Sequence, residues 1–365
     1  MSRILITGMM AGIPYQGGLT WVVLQYVLGL RRLGHDVWFI EPVTGEFDGK
    51  DYFQQVVAEY GLTTHAALLR VGTHETIGAR YEDFPPADIL LNISGMLADE
   101  RLTGNIPVRV YLDIDPAFNQ LWHAVQGIDV RFSGHTHFVT VGQAIGQPDC
   151  PVPTCQLKWI TTLQPVVLEH WPVATEIRYD ALTTIANWRG YGSIEYGGMF
   201  YGQKAHSLRQ FMRLPKMTDE NFLLAMSIHG DEKKDLAALA ENGWGMLDPA
   251  IVAKSATSYR RFVQQSKAEF GIAKSGYVAS RCGWFSDRSV CYLASGRPVV
   301  AQETGFSRFL PTGTGLFAFQ TSEEVLEAIE AIRSNYQCHS DAARALAEEY
   351  FDSDKVLTRL LEKVT

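Results

Sequence analysis

The stretch GWFSDRSVCYLASGRPVV, residues 283–300, is the most telling in the chain. It reads as a turn, then a helix, then a strand. Ser286, Asp287 and Arg288 stand where a helix begins, and Cys291 to Ala294 carry its apolar face. Gly296 suits the left-handed stop after a helix, and Pro298 cannot continue one. Val299 and Val300 start a strand. A helix start with an arginine in its first turn attracts a dianion, because unpaired N–H groups and the positive end of the dipole point outward. A phosphate-bearing ligand is therefore the first expectation.

The same alternation runs through the rest of the chain. RILITG (3–8) is a short apolar run ending in glycine and reads as a buried parallel strand. The loop MMAGIPYQGG leads into TWVVLQYVLGLRRLG, whose apolar residues 23, 24, 27, 28 and 30 share one helical face. Thr20 is its expected cap and Gly34 its stop. DVWFIEPV (36–43) is the next strand, which completes a βαβ unit. Further strands are expected at 87–94, 108–115 and 137–142. Residues 147–175 hold five prolines and read as an extended connector. A second series follows, with LTTIANW, NFLLAMSIH and GWGMLDP as strands and KAHSLRQFMRLP and DEKKDLAALAENG as helices. SYRRFVQQSKAEFGIA reads as one amphipathic segment, and SEEVLEAIEAIRSNY as a helix opened by Ser322. The expected fold is α/β, with two Rossmann-like domains facing a central cleft. The expected bounds are 1–175 and 176–340, with a terminal helix in 341–365 crossing back to the first domain. Ligands in such sheets bind beyond the carboxyl ends of the strands.

Composition narrows the partners. The 365 residues are 46% hydrophobic and 20% charged, which is ordinary globular composition. A net charge of −8 argues against nucleic acid, whose phosphates need basic faces. Five cysteines without repeated spacing suit reduced thiols in a cytoplasmic protein, and Cys150 and Cys155 lack the second pair a zinc site needs. No signal-peptide pattern and no membrane-spanning run is seen, since WVVLQYVLGL is too short. Oligomeric state is left open.

Both halves resemble the glycosyltransferases of the GT-B fold. GIPYQGGLTWVVLQYVLGLRRLGHDVWFIEP is similar to their glycine-pair loop, helix and "L-G-H-x-V" sequence. LASGRPVVAQETGF is similar to the "A-x-G-x-P-V-V-x-x-x-x-G" segment of their nucleotide-sugar domain, and GTGLFAF follows it. The closest likeness within the superfamily is to family 4 and spore-coat-type enzymes. That family carries two glutamates separated by seven residues, the second gripping the donor ribose. Gly283 and Cys291 stand at those positions here. The resemblance implies a nucleoside-diphosphate sugar as co-substrate, no cofactor and no bound metal.

Each candidate residue has a structural reading beside its chemical one. Arg288 can pair with a diphosphate or with a nearby acid. Asp287 can take a sugar hydroxyl or cap the helix, while Ser286 and Ser289 offer backbone at its start. By the resemblance, Arg189 and Lys204 neutralise the leaving diphosphate; otherwise they are solvated charges. His229, Thr304 and Gly305 follow strands where donor contacts gather. Gly17 and Gly18 suit close approach of acceptor or phosphate, or a tight turn. Asp113 is the expected catalytic base, with His137 as the alternative, and Asp115 reads as a helix cap before Pro116. His135 and His137 share one strand face, but no third ligand makes zinc a fit. Trp284 and Phe285 stack on a base or belong to the core. The expected activity is transfer of a sugar, of hexose type, to a hydroxylated small-molecule or glycan acceptor. A non-catalytic nucleotide-sugar-binding module and a nucleotide-sugar epimerase are the alternatives.

Overall fold

The computed structural model describes residues 1–365. The first sheet has eight strands: β1 (Arg3–Thr7), β2 (Asp36–Val43), β3 (Ala66–Arg70), β4 (Thr76–Gly78), β5 (Ile89–Ile93), β6 (Val108–Asp113), β7 (His137–Thr140) and β8 (Trp159–Thr161). Their spatial order is β4-β3-β2-β1-β5-β6-β7-β8, with β4 alone antiparallel. A hairpin follows β9 (Tyr179–Asn187) and is made of β10 (Ile194–Tyr196) and β11 (Met199–Tyr201). The second sheet joins β9 to β12 (Phe222–Ser227), β13 (Gly245–Leu247), β14 (Ser266–Gly271), β15 (Val299–Gln302) and β16 (Leu316–Phe319). All six run parallel, in the order β13-β12-β9-β14-β15-β16. Strand order reverses between β1 and β5 in one sheet and between β9 and β14 in the other, the places where such sheets open a crevice.

Local rules explain the elements that frame this crevice. The helix Asp287–Ala294 starts at Ser286, whose hydroxyl accepts the Arg288 N–H at 3.2 Å. It ends at Gly296 with φ +69°, where the N–H groups of Gly296 and Arg297 donate back to Leu293 and Tyr292. Two helix starts differ from the sequence reading. The first helix is Gly17–Arg32, so it begins three residues before Thr20, whose hydroxyl donates to the Gln16 carbonyl inside the first turn. Thr321, not Ser322, caps Ser322–Ser334 through a capping box with Glu324.

The amphipathic segment 258–273 divides in two. Ala256–Gln265 is helix, but Ser266–Gly271 is the central strand β14. Its charged residues disguise it. Glu269 is fully buried, and Arg288 neutralises it from the helix above at 2.5 Å.

The two sheets touch along two contacts. At the rear, helix Gly17–Arg32 lies on Ala256–Gln265 and on the last helix, Ser353–Val364. Trp21 donates its indole N–H to the Ala256 carbonyl at 2.8 Å and packs on Trp171 at 4.9 Å. The core here is one continuous cluster of 48 buried residues drawn from both halves. At the front, helix Phe118–Gln126 meets the β10–β11 hairpin and helix Ser275–Ser280 in a smaller cluster of 12.

Candidate functional site

Between those contacts lies a polar strip at the carboxyl ends of β6, β9, β14 and β15. Lys204 opens the helix Lys204–Leu208 and is half-buried. Burial and the nearby cations Lys274 and Arg288 push its ammonium down to about 7, while Asp115 and Asp287 oppose the shift. Nothing in the protein pairs with it. The hydroxyl of Ser275 is buried without a partner and sits beside Gly202, two residues before Lys204. A partly enclosed cation next to a helix start and an unsatisfied hydroxyl is a place for an anion.

The segment 283–300 forms one wall. A small, partly open pocket lies against Trp284, Ser286, Arg288, Ser289, Ala301 and Gln302. A second small pocket lies on the other side of the helix start, against Trp21, Gln25, Tyr26, Gln164, Asp287 and Cys291. Ser286, Asp287 and Ser289 thus sit between the two pockets. Burial raises the Asp287 carboxyl, while Arg288 and Lys204 act against that shift.

Arg288 does something else than the sequence suggested. Its guanidinium turns inward, donating to Glu269 at 2.5 Å and to the Ile185 carbonyl at 3.0 Å. These contacts carry the structural reading of Arg288, with the guanidinium set against a buried acid. Arg189 is also engaged, pairing with Glu232 at 2.5 Å on the exposed side of the loop. His229 has 80% of its side chain exposed and faces only Asp231. Thr304 and Gly305 brace the 281–285 turn. The Thr304 hydroxyl donates to the Trp284 carbonyl, the Gly283 N–H donates to the Thr304 carbonyl, and Gly305 adopts φ +93° against Arg281.

The glycine pair is likewise occupied. Gly17 donates its N–H to the Ala253 carbonyl at 2.8 Å, and a Cβ there would collide with the Ser255 carbonyl. Gly18 lies against the Tyr259 ring. The loop before them is filled by the protein's own carboxylate: Glu41, fully buried, accepts the N–H groups of Met10, Ala11 and Gly12. The close approach that Gly17 and Gly18 show here is of chain on chain.

The expected base changes as well. Asp113 is fully buried and accepts from Asn119 at 2.7 Å, Gln120 at 2.8 Å, Thr140 at 2.8 Å and the Asp115 N–H at 3.1 Å. Its lone pairs are committed to shaping the turn that holds Ala117 at φ +72°. His137 is the first residue of β7, three residues or roughly 10 Å behind the strand's carboxyl end. His135 precedes the strand and meets Asn92 at 3.0 Å. Asp115, read as a cap, instead points to the crevice, and Ala117 occupies the cap position.

Asp115 sits in a group that the sequence did not single out. Lys274 donates to both of its oxygens at 3.0 and 2.9 Å, Tyr191 donates at 2.5 Å, and Tyr277 donates to it too. The Lys274 ammonium stands over the rings of Tyr191, Phe118 and Tyr277 at 4.3, 5.0 and 5.1 Å. Recognising SKAEFG as a strand would have placed Lys274 at a carboxyl end. Trp284 stacks on Tyr277 at 4.3 Å and Phe285 packs among Phe306 and Phe351, so both belong to the core.

The two positions without glutamate have physical causes. Gly283 has φ +76°, and a Cβ there would press on the backbone of Gln143 and Ala144. Ala144 donates to the Cys282 carbonyl at 2.9 Å, which pins this turn to the first sheet's loop. Cys291 is 4% exposed and lies under Gln25 of the first helix. No group of three or more His, Cys, Asp or Glu side chains converges as a metal centre. No helix is long and apolar enough to cross a membrane.

No protein-family model and no curated protein sequence matches the chain. Solved structures do match over its whole length. An alpha-glucosyltransferase in complex with UDP superposes with a TM-score of 0.64 at 11% identity, covering 100% of both chains. The Anabaena HepE protein in complex with UDP and glucose gives 0.60 at 11% identity, covering 100% of this chain and 99% of that one. A glycosyltransferase from Rickettsia africae gives 0.57 at 13% identity, covering 100% and 97%. At such identities the likeness speaks for architecture: the chain has the fold of the GT-B glycosyltransferases, two Rossmann-like α/β domains facing each other.

Proposed function

We propose that the protein is a glycosyltransferase that moves a sugar, of hexose type, from a nucleoside-diphosphate sugar to a hydroxylated acceptor. One observation carries this reading. Lys204 is a half-buried cation without an ion-pair partner, set beside the start of helix Asp287–Ala294 at the carboxyl ends of the second sheet. Departure of a sugar leaves negative charge on the terminal phosphate, and a fixed ammonium with a helix start stabilises that charge as it develops. Neighbours of the same fold were solved with UDP, which supports a uridine diphosphate donor. Asp115, on the opposite wall, replaces Asp113 as the carboxylate nearest an acceptor.

A second reading draws on Gly283 and Cys291. Both positions are covered by the amino-terminal half, which suits a module that binds a nucleotide sugar without turning it over. Incubation with UDP-sugars, with and without simple glycoside acceptors, separates the two. Release of UDP by the wild type and its loss in Lys204→Met are expected. UDP-sugar binding by calorimetry with no UDP release in either protein would leave the module standing. Equal release by both proteins would remove Lys204 from the reaction.

A further inference from the structure

The β10–β11 hairpin stands outside both large sheets. Its sequence, IEYGGMFY at residues 194–201, explains its form. Gly197 and Gly198 adopt φ +58° and +76°, the two left-handed positions of a tight turn whose twist suits a hairpin. Cross-strand partners are Ile194 with Tyr201, Glu195 with Phe200 and Tyr196 with Met199. Partners share a face, and neighbours along a strand alternate. Ile194 and Tyr201 are buried in the front cluster, and Met199 packs against it. Glu195 and Phe200 therefore take the other face. Glu195 is exposed there and Phe200 is 46% exposed. Pairing geometry sets their Cβ atoms about 5 Å apart.

This outer face adjoins the crevice at both ends of the hairpin. At its foot, Gly276 donates its N–H to the Gly202 carbonyl at 3.0 Å. Gly202 is hemmed in by the Phe200 ring, the His206 imidazole and the unpartnered hydroxyl of Ser275. Lys204 is two residues further on. At its head, the chain enters from Tyr191, which donates to Asp115 at 2.5 Å. Glu195 is four residues beyond Tyr191, at most about 13 Å of extended chain. Two or three linked sugar rings span such a gap.

A ring and a carboxylate side by side suit a sugar. The C–H face of a pyranose packs on an aromatic ring, and its hydroxyls donate to a carboxylate in charge-assisted bonds. The charge of Glu195 repels a phosphate, which leaves the diphosphate to Lys204. The sugar in transfer needs shelter, because water in the site would hydrolyse it. An open platform fits the acceptor instead, whose far end leads out of the crevice.

We propose that Glu195 and Phe200 form a subsite for a glycan acceptor, and that they hold a ring one or two units beyond the one that receives the sugar. The acceptor is thus an oligosaccharide or a longer glycan, not a monosaccharide. Its role as acceptor rests on the glycosyltransferase reading above, whereas the glycan-binding face rests on the hairpin alone.

The test is binding of neutral trisaccharides of glucose, galactose, mannose and N-acetylglucosamine to the full chain, beside their methyl monosaccharides, by ligand-observed NMR. At least one trisaccharide is expected to bind about tenfold or more tighter than its monosaccharide. Phe200→Ala should weaken that trisaccharide about three- to tenfold and leave the monosaccharide within about twofold. Glu195→Gln should give a smaller loss of the same kind. Both side chains are exposed, so the melting temperature should not change. A wild type without preference for any trisaccharide would overturn the subsite. So would a preference that survives both substitutions. Calorimetry with UDP on the same proteins keeps the two readings apart. Wild type and Phe200→Ala should bind UDP alike. Weaker UDP binding in Phe200→Ala would put a base on the ring and overturn the proposal. A wild type that binds the trisaccharide but not UDP would sink the nucleotide reading and leave the glycan face standing.

Discussion

The chain builds a strand–loop–helix crevice wall twice, and finishes the two differently. After β1, the loop N–H groups of residues 10–12 are capped by Glu41, and Gly17 at the helix start gives its N–H to the Ala253 carbonyl. Beyond β14 and helix Ser275–Ser280, the helix start at Ser286 lies between two small pockets and near an unpaired Lys204. The same local geometry becomes structural where the protein supplies its own anion and receptive where it does not. The difference lies in the partners, not in the glycines.

The heaviest blow to this contrast falls on the pair that supports the receptive side. Arg288→Ala strands the buried Glu269 carboxylate and is expected to cost about 3–5 kcal/mol in urea unfolding. Replacing Arg288 and Glu269 together by Met and Leu should recover most of that loss. If Arg288→Ala unfolds like wild type but loses UDP binding, the inward-facing assignment fails. Next comes Lys204→Met, expected to weaken inorganic pyrophosphate about 10–100-fold, the worth of one hydrogen-bonded charge. Its melting temperature without ligand should hold or rise, since burial and like charges already strain the ammonium.

A third test uses pH. Lys204 must carry its proton to hold an anion, and its surroundings pull it down to about 7. Pyrophosphate affinity should therefore be greatest below that value and weaken as pH rises through it, by at most about tenfold per unit. A bound anion raises the lysine again, so the weakening is deferred to higher pH at saturation. Calorimetry at pH 6.5, 7.5 and 8.5 should show this fall in the wild type and a flatter profile in Lys204→Met. The smallest effect is expected on the sealed side. Gly17→Ala should lower stability by about 1–3 kcal/mol through overpacking against Ser255, with pyrophosphate affinity within twofold of wild type. A large loss of affinity there would mean that the glycine pair touches ligand after all.

Much of the architecture was legible because buried parallel strands and helix stops leave local marks. Apolar runs marked β1, β2 and β12, and Gly296 with Pro298 marked the end of the helix at 294. What escaped was set by contacts distant in sequence. β14 carries Lys267 and Glu269, tolerable in a central strand only because Glu220 and Arg288 neutralise them. Missing that strand hid Lys274. The different surroundings of Asp113 and Asp115 escaped for a similar reason. Both end one strand, but only the fold shows that Asn119, Gln120 and Thr140 consume the first while the second crosses the gap to Lys274. Lys204 could be named from the family resemblance, but its lack of a partner could not.

The last helix has a bearing on how the chain is made. Ser353–Val364 packs on Gly17–Arg32, with Gly29 against Leu357 and Arg32 paired with Asp354 and Glu169. The first helix leaves the ribosome about 320 residues before its partner. At ordinary synthesis rates that interval is on the order of tens of seconds, far longer than a helix needs to form. Through that time the face of Gly17–Arg32 around Gly29 waits for Ser353 and Leu357 to cover it. Birth of the finished molecule is thus a closing of the loop between its first helix and its last.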